Sequence, residues 1–177
     1  MKLYRTVALA VALAGAATAM IAVGARAGGD KIAFPANYDK GVMYWSLDRA
    51  DNKQHREYFA PASAIEAAKK GEPLPNGTVL TMLQYSTKLG DDGNPVKDAN
   101  GKFIKDKLIA YAVMQKGPGW GAEYPDDMRN GEWEYQVFNA EKQVNDKANL
   151  KACFTCHKPK ASSDYLFTLD QLKTAAK

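Results

Sequence analysis

The chain has 177 residues, with 24 basic and 20 acidic side chains, two cysteines and two histidines. That length suits one domain with a processed end, large enough to bury a core of its own. Three of the bases (Lys2, Arg5 and Arg26) lie in residues 1–27, which hold no acid, so the remainder sets 21 bases against 20 acids. Without a basic patch, nothing suggests nucleic-acid binding.

Residues 1–27 read as a secretory signal peptide. Lys2 and Arg5 form a basic start, Val7 to Ala25 is uncharged, and Ala25-Arg26-Ala27 offers a small-x-small cleavage site. Nineteen uncharged residues can just span a bilayer, so an uncleaved anchor is the alternative. The alanine and glycine content favours export to the periplasm with cleavage, leaving one domain over 28–177 and no membrane attachment afterwards.

Residues 28–34 read as a loose arm. Gly41 to Leu47 and His55 to Phe59 are predicted strands. Ser63-Ala-Ile-Glu66 is a capping box for a helix ending near Lys70, where Gly71 suits a C-terminal cap. Thr78 to Tyr85 and Leu108 to Met114 are strands, and the polar DDGNPVKDANGKFIKD between them holds two turn signals, Asp92-Gly93 and Asn100-Gly101. It reads as an exposed hairpin extension rather than a calcium loop, since its acids miss the alternating ligand positions. Glu132 to Phe138 alternates, with Trp133, Tyr135 and Val137 on one face of a half-buried strand. Ala148 to His157 is a helix stopped by Pro159, and Thr168 with Gln171 forms a second capping box, stapled by Phe167 and Leu172. The fold class is α+β, mainly β: an antiparallel sheet with one mid-chain helix and C-terminal helices.

The last of these elements carries CFTCH at 153–157, which holds both cysteines and one of the two histidines. C-x-x-C-H is the attachment pattern of c-type haem. Cys153 and Cys156 share a helical face, where each thiol can form a thioether with a haem vinyl. His157 returns to that face four residues after Cys153 and can be the proximal iron ligand. A disulfide would close a very small loop and lend little stability. A thioredoxin-like pair lacks its βαβ unit. Zinc would need four ligands from Cys153, Cys156, His157 and His55, with two of them adjacent. One covalently attached haem c is the preferred reading.

A late C-x-x-C-H after a β-rich body resembles the cytochrome P-460 family, which includes the cytochromes c′-beta. The resemblance runs through FPANY (34–38), HREYF (55–59), LPNGTV (74–79), YAVMQK (111–116), GEWEYQVF (131–138) and CFTCHKPKASSDYLF (153–167). It implies a mainly β, often dimeric fold with one c-type haem, and either hydroxylamine oxidation or binding of nitric oxide and similar ligands. Hydroxylamine-oxidising members carry a lysine cross-linked to the haem edge on the strand after the GTV-like turn. Here that place falls at about Met82, and the nearest lysines are Lys88 and Lys116. This departure favours the ligand-binding activity.

With His157 as the only assured ligand, the iron keeps an open position. The candidates to close it are His55, Met43, Met82, Met114 and Met128, each of which has an ordinary structural role to set against ligation. Phe59, Tyr85, Trp133 or Phe138 could cap it, with core packing as their default. Arg56 and Lys116 could pair with haem propionates or stay solvated. The reading that follows is a periplasmic haem protein with an open or weakly occupied iron, handling small nitrogen compounds and exchanging electrons with a partner protein. The alternative is a six-coordinate electron-transfer cytochrome.

Overall fold

A computed structural model describes residues 31–176, so the predicted signal peptide lies outside the described residues. Five strands run β1 (Val42–Arg49), β2 (Gln54–Ala60), β3 (Val79–Thr87), β4 (Lys105–Lys116) and β5 (Trp133–Asn139). They form one sheet in chain order, every neighbour antiparallel. Sequential antiparallel pairing of this kind needs no crossover connection, and α1 lies in the link between β2 and β3. The helices are α1 (Ala62–Lys70), α2 (Leu150–His157) and α3 (Leu169–Thr174). The predicted class, α+β and mainly β, is the observed one.

Register assigns the faces. Leu80, Met114 and Tyr135 stand in one cross-strand row; Tyr58, Met82, Ala112 and Val137 form the next. On this face α1 buries Ala64, Ile65, Ala67 and Ala68, α2 buries Phe154 and α3 buries Leu172 in one cluster with Leu80, Trp133 and Tyr135. The opposite face buries Leu83, Tyr111, Val113 and Phe138 beneath Ile32, Phe34 and Tyr38. The arm is therefore docked, not loose, from Ile32 onward: Ile32 is buried, and the Phe34 ring packs edge-on against Tyr111 and Phe138. β5 likewise exceeds its predicted half-burial, because Glu134, Gln136 and Phe138 are as covered as Trp133 and Tyr135.

The DDGNPVKDANGKFIKD segment is the predicted hairpin extension, with Leu89 bridging Pro95 and Lys97 bridging Phe103. Neither capping box forms. α1 starts after Pro61, whose extended backbone is the N-cap, and Ser63 lies inside the first turn. The Thr168 hydroxyl bonds Tyr44 instead of its own helix, at 2.8 Å. The C-terminal cap of α1 does hold: Gly71 is left-handed, and Gly71 and Glu72 donate to Ala68 and Ala67.

Candidate functional site

α2 owes its start to Asn149, whose side chain accepts from Ala152 N at 3.3 Å. It owes its orientation to Phe154, fully buried between the rings of Tyr124 and Tyr135 at 5.1 and 4.8 Å. Asn130, also fully buried, donates through Nδ2 to the Phe154 carbonyl at 3.0 Å and to the Tyr135 hydroxyl at 2.9 Å. With Phe154 locked inward, Cys153 is half-buried at the cluster's rim and Cys156 is exposed, both as free thiols. Burial, then the neighbouring Cys156, pushes the Cys153 thiol up. α2 ends at His157, ahead of Pro159 as predicted, and a 3₁₀ stretch kinked at Lys160, Lys158–Ser163, follows it.

His157 closes α2 with its ring 4.9 Å from that of Tyr135 and edge-on to Phe167 at 5.0 Å. Phe167, half exposed, thus flanks the imidazole. The Nδ1 of His157 lies 2.6 Å from the Tyr165 carbonyl oxygen. A carbonyl can only accept, so Nδ1 carries the hydrogen and the neutral ring keeps its lone pair on Nε2. Burial lowers the pKa of His157, opposed by this hydrogen bond, and so favours that neutral form.

The carbonyl is aimed by an unusual backbone. Asp164 and Tyr165 both have positive φ, 51° and 61°. Aspartate tolerates this region, but for a tyrosine it costs about 1–2 kcal/mol. Asp164 is held by the ends of two paired strands: Lys116 Nζ lies 3.0 Å from its Oδ2, and Trp133 Nε1 donates to its Oδ1 at 3.1 Å. Gly131 gives the Tyr165 ring room, since a Cβ there would stand 3.1 Å from the ring.

The remaining predicted residues are spread around the sheet. Met82 stands on the α2 face, half-buried in the row with Tyr58, Ala112 and Val137. Trp133 is on that face too, but fully buried and committed to Asp164. His55 and Phe59 stand on the opposite face: His55 Nδ1 bonds Asp48 Oδ1 at 2.6 Å, and Phe59 packs on Tyr38. Asp48 also accepts from Phe103 N, so His55 helps moor the hairpin extension. Lys88 is exposed at the base of that extension, six residues and roughly 20 Å along the strand from Met82. The sequence reading missed Asp164, Tyr165 and Phe167. Only the adjacency of Asp164 and Tyr165 to the CFTCH helix hinted at them.

Among the described residues, no three or more of His, Cys, Asp and Glu are grouped to hold a metal ion. No helix among them is long and apolar enough to cross a membrane.

An antiparallel sheet with a C-terminal helix presenting two thiols and an oriented imidazole beside a half-open apolar face has the donor chemistry of a c-type haem protein. The family model for cytochrome P460 matches residues 35–168, most of the chain. The chain belongs to the cytochrome P460 family, a family of c-type haem proteins. No curated protein matches it.

Proposed function

We propose that the protein carries one haem c, joined to Cys153 and Cys156 with His157 as proximal ligand, and that its iron keeps an open position for nitric oxide or a similar small nitrogen ligand. The observation that carries the reading is the Nδ1 hydrogen bond from His157 to Tyr165, which leaves Nε2 as the ligating atom at the free end of α2. The residues fit the group. Tyr58, Met82, Ala112 and Val137 offer a half-buried apolar wall on the same face, and alanine at 112 leaves room there. When bound, the haem supplies an iron centre able to take a diatomic or hydroxylamine-like ligand.

This chain's own residues do the rest. Phe154 and Asn130 fix the helix, Tyr135 and Phe167 flank the imidazole, and the Tyr165 carbonyl holds its tautomer. The open position is supported by where the other ligands stand. His55 is tied to Asp48 on the opposite face, and Met114 and Met128 pack against the helix-side core. Met82 and Met114 stand on the same face as α2, and Met82 falls at about the place where the resemblance puts the cross-linking lysine. Ligand binding is therefore favoured over hydroxylamine oxidation. Residues 1–27 would direct the domain to the periplasm, where small ligands and a redox partner protein could reach it, and the family resemblance favours a homodimer.

The test is the absorption spectrum of the purified haem protein, ferric and then dithionite-reduced. A broad high-spin ferrous spectrum that changes on adding nitric oxide is expected, and it should persist in His55→Ala and Met82→Ala. Sharp, split low-spin bands in the reduced wild type, lost in one of those variants, would establish the six-coordinate electron carrier instead.

A further inference from the structure

Lys116 and Trp133 are cross-strand partners at adjoining ends of β4 and β5, and both turn to one acceptor, the Asp164 carboxylate. Trp133 is fully buried, and the Lys116 side chain is only 12% exposed. Their shared target lies one residue before the carbonyl that accepts from His157, in a turn with two consecutive left-handed residues. The turn's own bonds, from Asp164 N to Ala161 O and Tyr165 N to Lys160 O, fix its shape but not its place against the sheet. The Asp164 side chain fixes that place together with the Tyr165 ring against Gly131 and the buried Leu166.

We infer that Asp164, clamped by Lys116 and Trp133, is a positioning residue that sets the strength of the His157–Tyr165 hydrogen bond and through it the electron donation of the iron's proximal ligand. The physical chain is short. A close carbonyl polarises the Nδ1–H bond and makes the imidazole a stronger donor, and a stronger donor favours the ferric iron. Releasing the carboxylate frees the turn to drift from the sheet end, lengthens the hydrogen bond and weakens the donor. The inference rests on the haem reading above, but concerns residues outside the attachment motif.

A bland alternative is that Asp164 is present because aspartate accepts a left-handed backbone. Glycine does so more readily, so Asp164→Gly separates the two roles: it keeps the backbone and removes the clamp. The experiment is resonance Raman of the ferrous haem protein together with redox titration, on wild type, Asp164→Gly, Asp164→Asn and Lys116→Gln. In Asp164→Gly the iron–histidine stretch should move to lower frequency and the midpoint potential should rise. Asp164→Asn, which keeps an oxygen for Trp133 Nε1, should restore part of both, and Lys116→Gln should give a smaller shift of the same sign. Wild-type stretch and potential in Asp164→Gly, or in Lys116→Gln where the glycine variant does not fold, would overturn the clamp. A pyridine haemochrome assay of the wild type keeps the two readings apart. A thioether haem signal with unchanged variants sinks only the clamp, whereas no such signal sinks the haem assignment and the clamp with it.

Discussion

On one face of the sheet, Ile32, Phe34 and Tyr38 close over Leu83, Tyr111, Val113 and Phe138, and the core is finished by the chain itself. On the other, three helices cover the end of the sheet around Leu80 and Tyr135, while Tyr58, Met82, Ala112 and Val137 stay half-buried beside the CFTCH helix. The two histidines divide the same way. His55 is sealed against a carboxylate on the closed face; His157 is bonded to a backbone carbonyl on the open one. Both partner oxygens accept, so the difference lies in position: buried His55 shares Asp48 with the extension, whereas half-buried His157 stands at the end of α2. The unfinished face, not the larger aromatic cluster, is thus the one proposed to receive a cofactor.

The strongest way to break the open face is through its anchor. Phe154→Ala removes a fully buried ring from between Tyr124 and Tyr135 and should cost about 3–5 kcal/mol. Denaturant unfolding of the haem protein measures it, and a loss below about 1 kcal/mol would mean that Phe154 does not hold α2 in place.

Adjacent residues on β3 sharpen the contrast. Leu83 points into the closed core and is 3% exposed, so Leu83→Ala should cost about 2–5 kcal/mol and leave nitric oxide binding untouched. Met82 points the other way and is half-buried, so Met82→Ala should cost only about 1 kcal/mol yet change the rate of nitric oxide binding. Stopped-flow traces decide it: if Leu83→Ala altered the rate more than Met82→Ala, the assignment of faces to roles would be wrong.

How far the sequence discloses this molecule depends on distance along the chain. The strands, the extension and the CFTCH helix are legible because alternation, turn dipeptides and the three-residue cysteine spacing are local signals. The face each residue takes is not, because it depends on cross-strand register. Phe59 and Trp133 are both large aromatics in strands, yet they lie on opposite faces, Phe59 packed on Tyr38 and Trp133 bonded to Asp164. Asp164 and Lys116 are 48 residues apart, and Trp133 and Asp164 are 31 apart, so no sequence pattern joins them. Lys88 looks close to Met82 in the sequence, but an extended strand carries it away from the site.

The capping boxes give the smallest effects and show how a local signal fails. Ser63 and Glu66 have the spacing of a cap, but Pro61 supplies an extended N-cap two residues earlier, and α1 is under way before the serine is reached. The Ser63 hydroxyl makes no cap bond, so Ser63→Ala should change stability by no more than about 0.5 kcal/mol. Asn149 has no glutamate three residues on, yet its side chain does accept from Ala152 N at the start of α2. Asn149→Ala should therefore cost about 1 kcal/mol. The two variants differ by one cap bond on helices packed into the same cluster, and thermal unfolding monitored side by side reads the difference directly. Equal losses would show that the α2 start is held by Phe154 alone; a larger loss for Ser63→Ala would place the start of α1 at the serine after all.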